Sequence, residues 1–367
     1  VRVDIIPSDK VACAHYRLAW PANAVAEQTD WDVRIHDPGE VFLRPPLSIQ
    51  GIDDLDSVDL VVMQRIATPR QARLVKALQS RGIAVVVDVD DLLSGIERDN
   101  KSWEYWNEQV MGLPRHQYLD MAATSADLVT VSSDYLATKY GRHGRVEVIR
   151  NGLPNQAFDD PAAVYERTRA VDGQVVIGWS GSLASHPHDL DVLGAGVRAA
   201  MDNDPLLHFR VVGDAEPVAQ ALNLDPQRVS GTGWLDFEDY HAALRGVDVA
   251  LVPLSESRFN RAKSHLKAME FAAAGAVVIA SDLPEQRKFS ETVPIATISN
   301  NGNGPAHLYW QSHIEAVAMT MREFPMAMGE DRAEMVRTSA RWAYANRAGE
   351  WVQAWERAVT RRKNLDK

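Results

Sequence analysis

Residues 249–282 read VALVPLSESRFNRAKSHLKAMEFAAAGAVVIASD, and the order of the parts within them decides the fold. A β-branched run ending at Pro253 leads into a polar, basic loop, then an alanine-rich stretch closed by Gly275, then a second β-branched run. Strand, loop, helix and strand in that order form the unit from which helix-covered parallel sheets are built. Ser264 is read as the helix N-cap, so the amides of His265, Leu266 and Lys267 would offer free N–H groups at the positive end of the helix dipole. Arg258, Arg261, Lys263 and Lys267 crowd the same end, which suits a diphosphate better than a carboxylate. Glu270 follows Lys267 on the same helical face, one turn in, where a carboxylate is placed to take two hydrogen bonds from a ribose diol. The plainer alternative is a solvated basic loop leading into an ordinary amphipathic helix.

The same alternation extends in both directions. Strands are expected at 1–7, 32–36, 59–64, 84–88, 128–132 and 146–150, then at 175–179, 208–213, 228–231, 249–253 and 277–281, with helical stretches between them. A length of 367 residues fits two domains of roughly 150 to 200 residues. The expected fold class is therefore α/β, with two doubly wound, Rossmann-like domains facing a cleft. Pro154, Asn155, Asp159, Asp160 and Pro161 mark a linker over 153–172. The expected domains are 1–155 and 156–345. Beyond Pro305 the pattern is helical and carries Trp310, Trp342, Trp351 and Trp355, so a C-terminal helix over 346–367 is expected to pack back on the first domain.

Composition narrows the function. Apolar residues at 46% and charged residues at 24% describe an ordinary globular chain with mass for two cores. Thirty-nine basic against fifty acidic residues leave a net charge of −11, which repels phosphate polymers and anionic membranes, so a nucleic-acid contact would need a local basic patch. A single cysteine, Cys13, excludes an intrachain disulfide and a four-thiolate zinc site and points to a reducing compartment; a cytoplasmic location is expected. No apolar run approaches the roughly 18 residues of a membrane span.

The 249–282 stretch resembles the donor-binding signature of GT-B fold glycosyltransferases, especially the retaining enzymes of the family 4 type, also called glycosyl transferases group 1. In that family a Glu followed five residues later by Gly holds the nucleotide ribose, and Glu270 and Gly275 match it. A second Glu, eight residues earlier, usually contacts the transferred sugar; here that position is Ala262, which leaves Asn260 or Lys263 as substitutes. The resemblance extends to the turn after the 175–179 strand, where Gly181 and Ser182 would lie near the donor phosphates, and to VSGTGW at 229–234, where Gly233 and Trp234 would line the nucleobase pocket. A plain β-to-α turn is the alternative at Gly181. Arg150-Asn151-Gly152 resembles the family's Asn-Gly motif at the domain junction, although Asn-Gly forms turns anyway.

In the first domain, VVVDVDDL at 85–92 ends a strand in three carboxylates. A metal site is discounted, because Asp-x-Asp metal binding belongs to the other main glycosyltransferase architecture. By resemblance Asp90 falls where the family has a sugar-contacting His, so Asp90 is the leading catalytic candidate, with Asp91 beside it as a sugar contact; helix capping is the alternative. In the loop after the first strand, Arg17 is expected to reach the diphosphate across the cleft, and His15 to touch acceptor or sugar. Cys13 lacks a paired base and is not read as a nucleophile. The aromatic run at 101–118 suits carbohydrate, membrane or protein, or simply packs as a helix.

What the resemblance implies is a retaining transferase that moves a sugar from a nucleotide sugar to an acceptor hydroxyl, with no cofactor and no obligatory metal. A nucleotide-sugar epimerase of the same fold and a non-catalytic sugar- or nucleotide-binding protein are the alternatives. Modified DNA bases, proteins, lipids and small molecules all stay open as acceptors.

Overall fold

The computed structural model describes residues 1–45, 48–169, 173–299 and 305–365. Its first sheet holds six parallel strands, β1 (Arg2–Ile6), β2 (Asp32–Ile35), β3 (Leu60–Gln64), β4 (Ala84–Val89), β5 (Leu128–Val131) and β6 (Val146–Val148), in the spatial order β6-β5-β4-β3-β1-β2. The second holds β7 (Val175–Ser180), β8 (Leu207–Val212), β9 (Val229–Gly231), β10 (Val249–Val252), β11 (Val277–Ser281) and β12 (Ala296–Ile298), also parallel, in the order β9-β8-β7-β10-β11-β12. The direction of winding reverses between β1 and β3 and again between β7 and β10. Open parallel sheets bind ligands in such crevices, beyond the carboxyl ends of the strands.

Every expected strand is present. β12 is an addition, three residues long and too short for its periodicity to show. So are two small hairpins, Phe42–Arg44 with Ser48–Gln50 and Gln109–Val110 with Leu113–Pro114. The expected linker contains a helix, Pro161–Arg169, and its residues 170–172 lie outside the described residues, as do 366–367 of the expected terminal helix.

β3 and β4 are buried along their whole length, as their unbroken apolar runs require of central parallel strands. One face of the first sheet packs on the helices Pro69–Gln79 and Arg115–Ser125 through Leu74, Leu78 and Leu119. The other is covered by the helices Trp20–Gln28 and Tyr344–Leu365. Tyr344, Ala348, Trp351, Trp355 and Ala358 recur at helical spacing and bury one stripe of the last helix against Val3, Ile5, Leu60, Val62 and Val86. Residues beyond 344 thus build the core of the first domain. Among the described residues no helix is long and apolar enough to cross a membrane.

The chain therefore crosses between domains twice, and the two crossings are bonded to each other. The Leu153 N–H donates to the Trp342 carbonyl (3.0 Å) and the Tyr344 N–H to the Leu153 carbonyl (2.9 Å). A Cβ on Gly152 would stand 2.6 Å from the Trp342 oxygen and 3.0 Å from the Tyr344 ring, both fixed by this pairing. Gly152→Ala is expected to cost about 2 kcal/mol and lower the melting temperature by roughly 5 °C, as measured by differential scanning calorimetry.

Side chains are also exchanged across the cleft. Phe259 and Ala262 of the second domain sit in the core of the first, and Tyr16 of the first sits in the core of the second. Beside the crossings Arg150 grips the buried Glu285 (2.8 Å). At the opposite rim Asn100 Nδ2 and the Lys101 N–H donate to the carbonyls of Ser185 (2.6 Å) and Ala184 (2.8 Å), while His188 pairs with Asp99. The structure is that of a closed cleft.

Candidate active site

The helix Leu266–Ala273 starts beyond β10, at the crevice of the second sheet. Its cap residue is His265 and not Ser264: the Ser264 hydroxyl instead accepts from Asn151 Nδ2 across the domain junction (2.9 Å). The His265 ring is turned away from the cleft. It stacks on Phe289 (4.7 Å between centroids) and meets Trp342 edge-on (4.5 Å), and burial, with Arg347 and Arg150 nearby, pushes its pKa down to about 3. His265 can therefore offer a ligand only its backbone. Leu266 begins the first turn, and the Lys267 ammonium lies 2.8 Å from the Tyr240 hydroxyl and 3.4 Å from Glu270 Oε2.

Glu270 is almost fully buried, and two phenols hold its carboxylate. Tyr240 donates to Oε2 (2.8 Å), and Tyr16, arriving from the first domain, donates to Oε1. Burial, and then the Glu270 charge, raise the pKa of both tyrosines, so both stay protonated donors. Burial opposes the charge of Lys267, but Glu270 and Tyr240 outweigh it and raise its pKa. Around Tyr16 the seam is aromatic: Phe237 of the second domain meets Trp20 edge-on at 5.1 Å and tilts against the His15 ring at 4.5 Å. His15 also lines a cavity of about 370 Å³ at the ends of β1 and β2, with Lys10, His36 and Asp37. His15, Tyr16 and Arg17 lie in one π-helical segment, His15–Ala19.

Arg17 corrects the sequence reading. Its guanidinium is buried within the first domain, bidentate to Asp88 (3.0 and 2.8 Å) and bonded to the Ile149 carbonyl (2.6 Å) and Asn151 Oδ1 (3.0 Å). Burial lowers its pKa, but Asp88 more than offsets this and raises it; the charge is committed there and not presented to a diphosphate. Nothing in the 7–20 loop shows that the carboxylate opposite it belongs to the strand at 84–88.

Asp90 and Asp91 do stand at the cleft. Asp90 is held by Arg65 in a two-pronged pair (3.0 and 2.6 Å), and Asp91 meets Lys263 across the cleft (3.0 Å). Burial raises the Asp90 pKa, but Arg65 overcomes it and the net shift is downward, so Asp90 is a carboxylate. Sequence reasoning missed Arg65. Its one signal was position, immediately after β3, and its left-handed backbone (φ 47°) is uncommon outside glycine. Cys13 donates to Asp9 (3.1 Å), and burial pushes its pKa up, so it stays a thiol.

The other expected residues divide. Gly181 has φ 151°, and a Cβ there would press on the Trp179 ring at 3.0 Å; with Ser182 it turns the chain at the end of β7. Asn260 is buried and donates to Asp189 Oδ1 (2.6 Å), so its amide nitrogen is engaged inside the domain and not offered to a sugar. Arg261 is half-exposed and paired with Glu256 of its own loop (2.8 Å), apart from Lys263. Gly233 takes the positive φ of a tight turn (68°), and Trp234 is 72% exposed, with Lys101 of the first domain 5.9 Å from its ring. Because this loop follows the edge strand β9, Trp234 stands at the rim of the cleft and walls no closed pocket. Ala262 is fully buried, its carbonyl accepting from Ser133 (2.8 Å); the closed seam leaves no room for a glutamate there.

At the crevice itself, Trp179, Ser180, His186, Asp189, Pro253 and Lys267 enclose a cavity of about 30 Å³. That is room for a water and not for a nucleotide.

Residues 174–302 match the family model described as glycosyl transferases group 1. Comparison with curated protein sequences finds no match. The whole chain is similar in fold to a glycosyltransferase from Rickettsia africae, with a TM-score of 0.62, 12% identity and 98% of each chain covered. HepE from Anabaena, in complex with UDP and glucose, gives a TM-score of 0.60 at 15% identity over 97% of this chain and 99% of that one. A Listeria monocytogenes protein assigned as a UDP-N-acetylglucosamine 2-epimerase gives 0.53 at 11% identity over 96% and 95%.

Proposed function

We propose, on the premise that this chain is a GT-B glycosyltransferase whose residues 174–302 belong to glycosyl transferases group 1, that it moves a sugar from a nucleoside diphosphate sugar to an acceptor hydroxyl, with retention, in the cytoplasm and without an obligatory metal. The observation that carries the donor assignment is the coordination of Glu270. Tyr16 and Tyr240 present one hydroxyl to each carboxylate oxygen, which is the donor set of a ribose diol. On opening, the diol replaces Tyr16, and Lys263 exchanges Asp91 for the diphosphate.

Lys263, Lys267, Ser182 and the main-chain amides at the start of the Leu266–Ala273 helix would then hold the diphosphate and receive charge as it leaves. The acceptor hydroxyl attacks from the same face and passes its proton to the departing diphosphate oxygen. Asp90, kept ionised by Arg65, supports the positive charge developing on the sugar ring. Because protein cations take the leaving-group charge, the reading requires activity in EDTA.

A thermal-shift series of UDP, GDP, ADP, CDP and dTDP with their glucose conjugates, each with EDTA and with magnesium, tests it. Selective stabilisation by one nucleotide in EDTA is expected; stabilisation only with magnesium would overturn the metal-independent part. Turnover without acceptor to free, epimerised sugar would assign the epimerase reaction instead. Asp90→Asn is expected to leave donor affinity within about twofold and lower kcat by about 10²-fold, as separated by calorimetric titration and steady-state kinetics.

A further inference from the structure

The turn after β7 carries a histidine that the donor reading above does not use. His186 Nδ1 bonds Asp189 Oδ2 at 2.8 Å. The Asp189 side chain is 4% exposed, and its other oxygen is held from three directions, by the Ser255 N–H (2.9 Å), the Ser255 hydroxyl (3.2 Å) and Asn260 Nδ2 (2.6 Å). A carboxylate fixed this firmly fixes the ring it holds. The imidazole, one quarter exposed, lines the crevice cavity with Ser180, Pro253 and Lys267.

We propose that His186, oriented by Asp189, contacts the donor diphosphate as an imidazolium, so that donor binding takes up a proton. The inference rests on the donor reading above and adds a residue and a pH dependence to it. With the Nδ1 proton committed to Asp189, Nε2 is the nitrogen left for a ligand. A neutral ring offers only a lone pair there, and a diphosphate offers only acceptor oxygens. The two can bond only when His186 carries its second proton. Asp189 is then the positioning residue: it fixes the tautomer and balances the imidazolium. The charged groups around His186 are Asp189 on its own turn and, from the helix after β10, Lys267, which is itself drawn toward Glu270. From the first domain the facing charge is Asp99, which pairs with His188.

The test measures affinity for UDP-, GDP-, ADP- and dTDP-glucose by calorimetric titration between pH 5.5 and 8.5. A sugar diphosphate has no ionisation of its own in that window, so any slope belongs to the protein. The wild-type protein is expected to bind one of the four, with Kd rising about tenfold across the range, the loss of one charge-assisted hydrogen bond. His186→Gln should match wild type at pH 8.5, bind about tenfold more weakly at pH 5.5, and show no slope. Asp189→Asn keeps an acceptor for Nδ1 but removes the charge, so it should flatten the slope while the melting temperature reports any structural loss separately. His188→Gln should keep the slope. If His186→Gln retains the wild-type slope, or His188→Gln abolishes it, the role of His186 is overturned and the donor reading survives. If the wild-type protein binds none of the four sugar nucleotides, the donor reading falls and this inference falls with it.

Discussion

Glu270→Ala is expected to raise the Kd for the donor nucleotide by about 10²-fold. A diol bonded to a carboxylate makes two charge-assisted hydrogen bonds, each worth roughly 1.5–3 kcal/mol net of water. Part of that is offset, because the diol displaces Tyr16 from one oxygen and competes with Tyr240 for the other. A net loss of about 2–3 kcal/mol remains, which corresponds to about 10²-fold in affinity. The variant also leaves Lys267 without its carboxylate and frees the Tyr16 phenol that bridges the domains. Circular dichroism melting must therefore accompany the titration, so that weakened binding is measured on folded protein. Unchanged affinity in a folded Glu270→Ala variant would place the ribose elsewhere and reduce the Tyr16–Glu270–Tyr240 chain to a domain fastener.

The largest stability effect is expected at Asp88. Asp88 and Arg17 are each about 1% exposed, and the pair is supported by the Thr130 hydroxyl, which donates to Asp88 Oδ2 (2.6 Å). Asp88→Ala removes the carboxylate bonded to a guanidinium that has no route to water. Breaking a buried pair from one side costs about 3–5 kcal/mol, which for a domain of this size lowers the melting temperature by roughly 10 °C or more. Scanning calorimetry reads this directly. Nucleotide affinity measured well below the transition should be unchanged, because the pair lies inside the first domain. A specific loss of nucleotide affinity in a folded Arg17→Met variant would restore Arg17 to the diphosphate site.

The two positions show where sequence reading stopped. In the 249–282 stretch the relevant relations are local. Lys267 and Glu270 stand one turn apart on one helix, and spacing alone predicts that they share a face, as they do. Gly275 takes the positive φ (79°) expected of the residue that ends that helix. Asp90 and Asp91 directly follow a buried strand, so their arrival at the carboxyl edge of the sheet is legible too. Arg17 was misplaced for the converse reason. An arginine in a loop after a first strand reads as a free cation, and what removes it from the cleft is an aspartate 71 residues away. Asn260 reads as a ligand for the same reason, its partner Asp189 lying 71 residues away, whereas Arg261 pairs with Glu256 five residues back in its own loop.

From its sequence alone this chain is two doubly wound α/β domains with a basic loop leading into a helix after the fourth strand of the second, because strand and helix periods, caps and glycines are encoded within a few residues of where they act. Tertiary structure alone decided which charges are spent and which are free. Tyr16 on Glu270, Arg17 on Asp88 and Lys263 on Asp91 are contacts between residues far apart in the chain. Such pairings follow from sheet order and domain closure, and a buried charge takes whichever partner the packing brings within reach.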